Sequence, residues 1–287
     1  MNKIFLYLFL ILAASFTNAQ KTNISLEGEY MGQETPDLTA KLFAPDFIST
    51  DNSEKAASFH PNGKEFYFTR EGEEGLTKIM FSKIIDTKWS LPEALPIPNQ
   101  ESFRAFVTKD GSRMFFASID LVDEQDSRRE YNIWVMDRED STWKNPRPLD
   151  SHINTPDALE LHPSVADDGT LYFKRFSFQD ETEKIFYSEW KDGQYLQAKP
   201  FEADLGSFAE DPFISPDESY VIFNPSGPTK FGSMHISFRD DKGNWTTPKD
   251  MGLNGELPSL SPDRKYLFFI RNNDVYWVDA KIIENFR

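Results

Sequence analysis

The chain of 287 residues contains no cysteine. That excludes disulfides, a thiol nucleophile and a lipid-modified cysteine behind a leader. Histidine is nearly as scarce: the four, His60, His152, His162 and His235, never show the His-Glu-x-x-His spacing of a zinc protease. Neither a Gly-x-Ser-x-Gly nucleophile elbow nor a Gly-rich phosphate loop is present. No motif therefore calls for a cofactor or a metal ion. Long apolar runs are missing as well, apart from residues 4–14. With Lys3 before it and Thr17-Asn18-Ala19 after it, this run reads as a secretory signal, residues 1–19, cut ahead of Gln20. It is short of the ~20 residues that cross a bilayer. The expectation is a periplasmic or secreted protein with no membrane span after cleavage.

Basic residues are in deficit, 31 Lys and Arg against 47 Asp and Glu, for a net charge of -16. Nucleic acid is thereby an unsuitable partner, since phosphates need Lys and Arg to displace their counterions. Cationic partners or metal ions suit the charge better, as does an acidic surface that keeps an exported protein dispersed. What the chain has in abundance is phenylalanine, 26 residues, without long helical periodicity, which leans towards sheet.

Five segments repeat a short strand, a turn and a second strand ending in Phe: "SFHPNGKEFYF" at 58, "FVTKDGSRMFF" at 106, "SVADDGTLYF" at 164, "FISPDESYVIF" at 213 and "SLSPDRKYLFF" at 259. The turn residue is Asn62, Asp110, Asp168, Asp217 or Asp263, types that bond their own nearby backbone. Gly follows in the first three copies; Glu218 and Arg264 replace it in the last two, which suggests a different turn there. A third strand follows each hairpin. A fourth carries Trp89-x-x-Pro92-x-x-Leu95, Trp143-x-x-Pro146-x-x-Leu149 and Trp245-x-x-Pro248-x-x-Met251, with Tyr195 and Pro200 a looser version. Proline cannot donate to a ladder, so this strand belongs at the edge.

Four antiparallel strands in five repeating units specify an all-β, five-bladed β-propeller. The fifth unit lacks its Trp-Pro strand, and "LFAPDFI" near the N-terminus offers Leu42-x-x-Pro45-x-x-Ile48 in its place. An N-terminal strand within residues 37–50 is expected to close the last blade. The domain is then 37–287, with residues 20–36 as an extension.

The Ser-Pro-Asp hairpins, Ser215-Pro216-Asp217 and Ser261-Pro262-Asp263, followed by an aromatic strand, resemble the WD-like "PD" repeat of TolB-type propellers. The resemblance covers roughly residues 37 to 279; it departs to His60-Pro61-Asn62-Gly63 and Thr108-Lys109-Asp110-Gly111. It implies a periplasmic or secreted bacterial protein. The leader and the start of the mature chain are similar to those of secreted propellers from Bacteroidetes-type bacteria. TolB's further N-terminal domain and six blades have no room here.

In a propeller the outer strand of one blade leads into the inner strand of the next across one face, around the channel. Here those connections read "NSEKAAS", "ESFRAF", "LELHPS", "AEDPF" and "GELPS". They are expected to bring Glu54, Arg104, Glu160, His162, Glu210, Asp211 and Glu256 to one mouth, with Phe103 and Phe208 beside them. Repulsion among the carboxylates would favour a bound cation, a cationic side chain or a ligand rich in hydroxyl donors. Arg104 and His162 would partly neutralise them, His162 titrating near its ordinary ~6.5. The insertion at residues 120–131 reads as a solvated loop. The favoured function is non-enzymatic: a monomeric binding or scaffolding propeller that recognises a cell-envelope protein, peptide or glycan. The alternative is a glycoside hydrolase with two channel-mouth carboxylates ~5–9.5 Å apart.

Overall fold

The computed structural model describes residues 25–72, 75–99, 101–120, 130–205, 209–225 and 232–287. Five antiparallel sheets stand in a ring, four with their strands in chain order from the channel outwards and the fifth with its outermost strand supplied from the N-terminal side. The inner strands are Glu54–Phe59, Phe103–Val107, Ala158–Val165, Ala209–Ile214 and Glu256–Leu260, which number the blades one to five. Outer strands are Glu93–Ala94, Thr142–Pro148, Lys199–Pro200 and Lys249–Asn254, and in the fifth blade Lys41–Leu42. Among the described residues no helix is long and apolar enough to cross a membrane.

The inner hairpins form for the reason their turn residues suggest. Asn62 and the four Asp side chains each accept from the backbone N–H two residues on, at 2.8 to 3.2 Å. Against expectation, all five turns are left-handed at the same position: Glu218 (φ 58°) and Arg264 (φ 61°) match Gly63 (φ 69°). Ser215 Oγ accepts from Tyr220 N at 2.9 Å and Ser261 Oγ from Tyr266 N at 3.0 Å, and Thr108 Oγ1 accepts from Arg113 N at 3.1 Å in a turn that keeps Gly111, so this clamp is common to turns with and without Gly.

Apolar residues collect between neighbouring blades, one cluster to each of the five interfaces. The Phe that closes each repeat, Phe68, Phe116, Phe173, Phe223 or Phe269, is buried in every case. The largest cluster spans the seam between the fifth and first blades.

That seam is closed by the N-terminal strand, but not in the register that "LFAPDFI" suggests. Lys41 and Leu42 pair with Trp277 and Tyr276, and Phe43 N donates to Val275 O at 2.8 Å. In the first three blades Leu95, Leu149 and Phe201 donate in the same way to Ile79, Ile133 and Ile185. Phe43 thus fills the place assigned to Ile48. Pro45 and Ile48 lie past the ladder, in a turn where Phe47 and Ile48 N–H groups bond Ala44 O. In this register Phe43 packs on Phe59, Phe66, Phe268 and Trp277.

The segment before residue 37 packs across the same seam. Leu26 O accepts from Trp89 N, and Gly28 O from Trp89 Nε1, on the first blade. Tyr30 Oη donates to Asp263 Oδ1 at 2.6 Å on the fifth.

Candidate functional site

Every inner strand carries the same irregularity. The ladder register slips between Lys55 and Ala57, Phe103 and Phe106, Leu161 and Ser164, Glu210 and Phe213, and Glu256 and Ser259. Within each slip one residue is left-handed: Ala56 (φ 45°), Arg104 (φ 54°), His162 (φ 59°), Asp211 (φ 54°) and Leu257 (φ 55°). A bulge of this kind adds a residue and re-aims side chains. Held five times by non-glycine residues, it forms a floor across the channel.

Three members of that floor are polar, and they meet. Arg104 Nη2 crosses the channel to Pro212 O at 3.1 Å and Pro258 O at 3.5 Å. Its Nη1 is 3.7 Å from Asp211 Oδ1, and His162 Nδ1 is 2.6 Å from the same oxygen without hydrogen-bond alignment. All three side chains are buried. Burial pulls the Arg104 guanidinium down to about 10, against Asp211 and Glu256. Burial pushes the Asp211 carboxyl up, but His162 and then Arg104 outweigh it and hold Asp211 at about 2. His162 is lowered by burial, with Asp211 opposing. It does not titrate near its ordinary value as the sequence suggested, because the floor removes it from water.

Above the floor, on the face where one blade leads into the next, sits a half-exposed ring: Lys55, Phe103, Leu161, Glu210 and Glu256, one residue before each bulge. Phe103 lies against the His162 ring, centroids 5.6 Å apart. Glu210 is held by Lys174 at 3.0 Å, and Lys174 also reaches Glu183 at 2.8 Å. Burial raises the carboxyls of Glu210 and Glu256; Glu183 adds to the first, and Asp211 to the second.

The carboxylates expected at the mouth therefore divide. Glu210, Asp211 and Glu256 share it with Arg104, His162 and Phe103. Glu54 and Glu160 do not. Each is wholly buried two residues before the bulge and turned to an Arg of its own blade, Arg70 at 2.9 Å and Arg175 at 2.8 Å. A Thr completes each pair: Thr50 Oγ1 donates to Glu54 at 2.8 Å and Thr155 Oγ1 to Glu160 at 2.9 Å. Thr50 N also bonds the second oxygen of Glu54, whereas Oε2 of Glu160 has no partner among the described residues. Burial accordingly raises Glu160 to about 7, against Arg175 and Thr155. These two Glu are struts of the blades. Phe208 and the insertion, apart from its ends, lie outside the described residues.

Sequence reasoning passed over Lys55, Leu161 and Lys174. Lys55 and Leu161 each directly precede a position counted elsewhere in the mouth, which was the available signal; Lys174 is a second-strand residue with none. Among the described residues no group of three His, Asp or Glu is arranged to hold a metal ion.

No family model and no curated protein matches the sequence. Solved structures do. A protein of unknown function from Dyadobacter fermentans is 13% identical over 86% of this chain and 83% of its own, with a TM-score of 0.53. The tricorn protease is 15% identical over 80% of this chain but only 26% of its own, TM-score 0.50. A putative TolB from Agrobacterium tumefaciens is 16% identical over 80% of this chain and 72% of its own, TM-score 0.49. Likeness at such identities shows the fold alone.

Proposed function

We propose that this chain is an exported, non-enzymatic binding propeller whose upper channel mouth grips a protein or peptide that presents a basic side chain next to an apolar one. The observation that carries the reading is the half-exposed ring above the Arg104–Asp211–His162 floor. Glu210 and Glu256, raised in proton affinity by partial burial, gain from a cation brought between them. Phe103 and Leu161 supply apolar surface on the same ring. A rigid floor spares the cost of ordering the site on binding. Export rests on the apolar run at residues 4–14, which lies outside the described residues.

A glycosidase needs two carboxyls standing apart around a sugar bond. Glu210 is instead tied to Lys174 at 3.0 Å, which Glu183 shares at 2.8 Å, so it is engaged within its own neighbourhood rather than standing free across a sugar bond from a second carboxyl. Immobilised mature protein should capture a partner from the native cell envelope. The pair Glu210→Gln and Glu256→Gln should weaken that capture about tenfold or more, while Glu93→Gln with Asp192→Asn, on outer edges, should leave it unchanged. Equal losses would reduce the mouth to general surface charge. Glycan hydrolysis abolished by the first pair would replace binding with catalysis.

A further inference from the structure

Opposite the mouth lies the lower face, which carries the hairpin turns. There the channel opens again among Pro61, Lys109, Asp167 and Pro216, and Lys109 Nζ and Arg264 Nη2 bridge the gap through Asp167 Oδ2, at 2.7 and 2.8 Å. A different space on this face lies further out, between the third and fourth blades.

The interface between the first and second blades shows how such a space is closed. Tyr67 and Phe81 of the first blade stack at 6.4 Å, and Trp143 of the second donates its Nε1–H to Tyr67 Oη at 2.9 Å. Arg138, its guanidinium 4.7 Å from the Trp143 ring centre, crosses the interface to Glu65 and seals it. Between the third and fourth blades the aromatic set recurs: Tyr172 and Tyr187 stack at 5.9 Å, and Trp245 meets Phe201 at 4.9 Å. The acid does not. Thr170 stands two residues before Tyr172, where Glu65 stands before Tyr67. Arg239 is the counterpart of Arg138, each donating its N–H to the Ser that follows a hairpin turn, Ser219 and Ser112. With no acid opposite, Arg239 turns to Glu218 Oε2 and Gly243 O of its own blade, both at 3.3 Å. A cavity of about 250 Å³ is left.

Two independent features of its lining point to an occupant. Thr170 is only 5% exposed and lines the cavity, yet its hydroxyl makes no hydrogen bond among the described residues. Around it, four carboxylates, Asp168, Glu189, Glu202 and Glu218, face one guanidinium, Arg239. Glu218 is paired with that Arg; the other three have no basic partner among the described residues. Ser188 pairs with Leu171 across the ladder, which sets Glu189 beside Thr170.

We infer that this cavity binds a small aliphatic diamine, one ammonium donating to Thr170 Oγ1 beside Glu189, the other among the remaining carboxylates, the methylene chain against the Tyr187 and Trp245 rings. An unpartnered buried hydroxyl is an acceptor waiting for a donor, and a charged donor makes the stronger bond. Aromatic walls attract the alkylammonium itself. Exposed carboxylates are individually weak, so the hydroxyl and the rings fix the place while the excess negative charge selects the sign. The space is sufficient: a cavity of roughly 150 Å³ holds benzene, whose six heavy atoms equal those of 1,4-diaminobutane.

Calorimetric titration of the mature protein with 1,4-diaminobutane at low salt tests the inference. Binding should have a Kd on the order of 1 mM or tighter, and 1,4-butanediol, the same length without charge, should give no heat. Thr170→Glu restores the acid that closes the first interface; it should draw Arg239 across and abolish binding although it adds negative charge. Thr170→Val keeps the shape and removes only the hydroxyl, so it decides the matter should Thr170→Glu fail to fold: affinity should fall about fivefold or more with the melting temperature held. Glu189→Gln with Glu202→Gln should weaken binding about tenfold. Glu210→Gln with Glu256→Gln should leave it intact, so the upper mouth and this cavity stand or fall separately. No heat with the diamine, equal affinity for the diol, tighter binding to Thr170→Glu or unchanged affinity in Thr170→Val would each overturn the inference.

Discussion

Arg104 and Asp211 are the residues on which the channel floor depends, and each is costly alone. Removing one member of a buried pair strands the other charge, typically at about 3–5 kcal/mol, whereas replacing both by apolar side chains is often near neutral. Asp211→Asn should therefore lower stability in urea by several kcal/mol, and Arg104→Met combined with Asp211→Leu should recover most of the loss. An equal penalty for single and double variants would mean that the pair is not what holds the floor. Glu160 gives a pH signature. Its carboxyl is raised from 4.5 to about 7 in the folded state, so the folded protein holds a proton that the unfolded chain has released across that interval. The sign follows: stability falls as pH rises through it, by on the order of 3 kcal/mol from this residue. Glu160→Gln should flatten the denaturation midpoint between pH 4.5 and 7, and an unchanged slope would contradict the assignment.

Strands and turns were readable from the sequence wherever a residue type is tied to a backbone geometry. Asn62 and the four Asp mark the hairpins because their side chains bond the turn, and the closing Phe marks the strand that enters the inter-blade core. The bulges were not readable. Their left-handed position carries Ala, Arg, His, Asp and Leu, with no chemistry in common, and the extra residue breaks the alternation by which side chains are assigned to faces. For that reason Glu54 and Glu160 were expected at the mouth although they brace the blades. The closing strand takes another register than its spacing suggests: "LFAPDFI" imitates the Trp-Pro strands, while Phe43 holds the ladder position among Phe59, Phe66, Phe268 and Trp277. Phe43→Ala should cost about 3–5 kcal/mol by chemical denaturation, whereas Pro45→Ala, exposed and past the ladder, should cost under about 1. Similar losses at both positions would restore the Pro45 register.

As a whole, the protein is a ring with two distinct openings on one channel, divided by a floor. Five blades closed by a strand from the other end of the chain leave no open seam, so the channel-lining loops sit on a scaffold that resists shear. The mature chain should begin at Gln20 or its cyclised form, as terminal sequencing of protein recovered from its native host would show; Met1 retained on membrane-bound protein would remove export from the functional reading. Which opening meets the partner decides that reading most directly. A photoreactive amino acid placed at Leu161, on the upper ring, and separately at Asn62, in a hairpin turn of the lower face, should be irradiated in cells and its adducts compared. The upper position should form one dominant cross-link to an envelope protein or peptide and the lower position none; cross-linking from Asn62 alone, or equally from both, would contradict a binding mouth on the upper face.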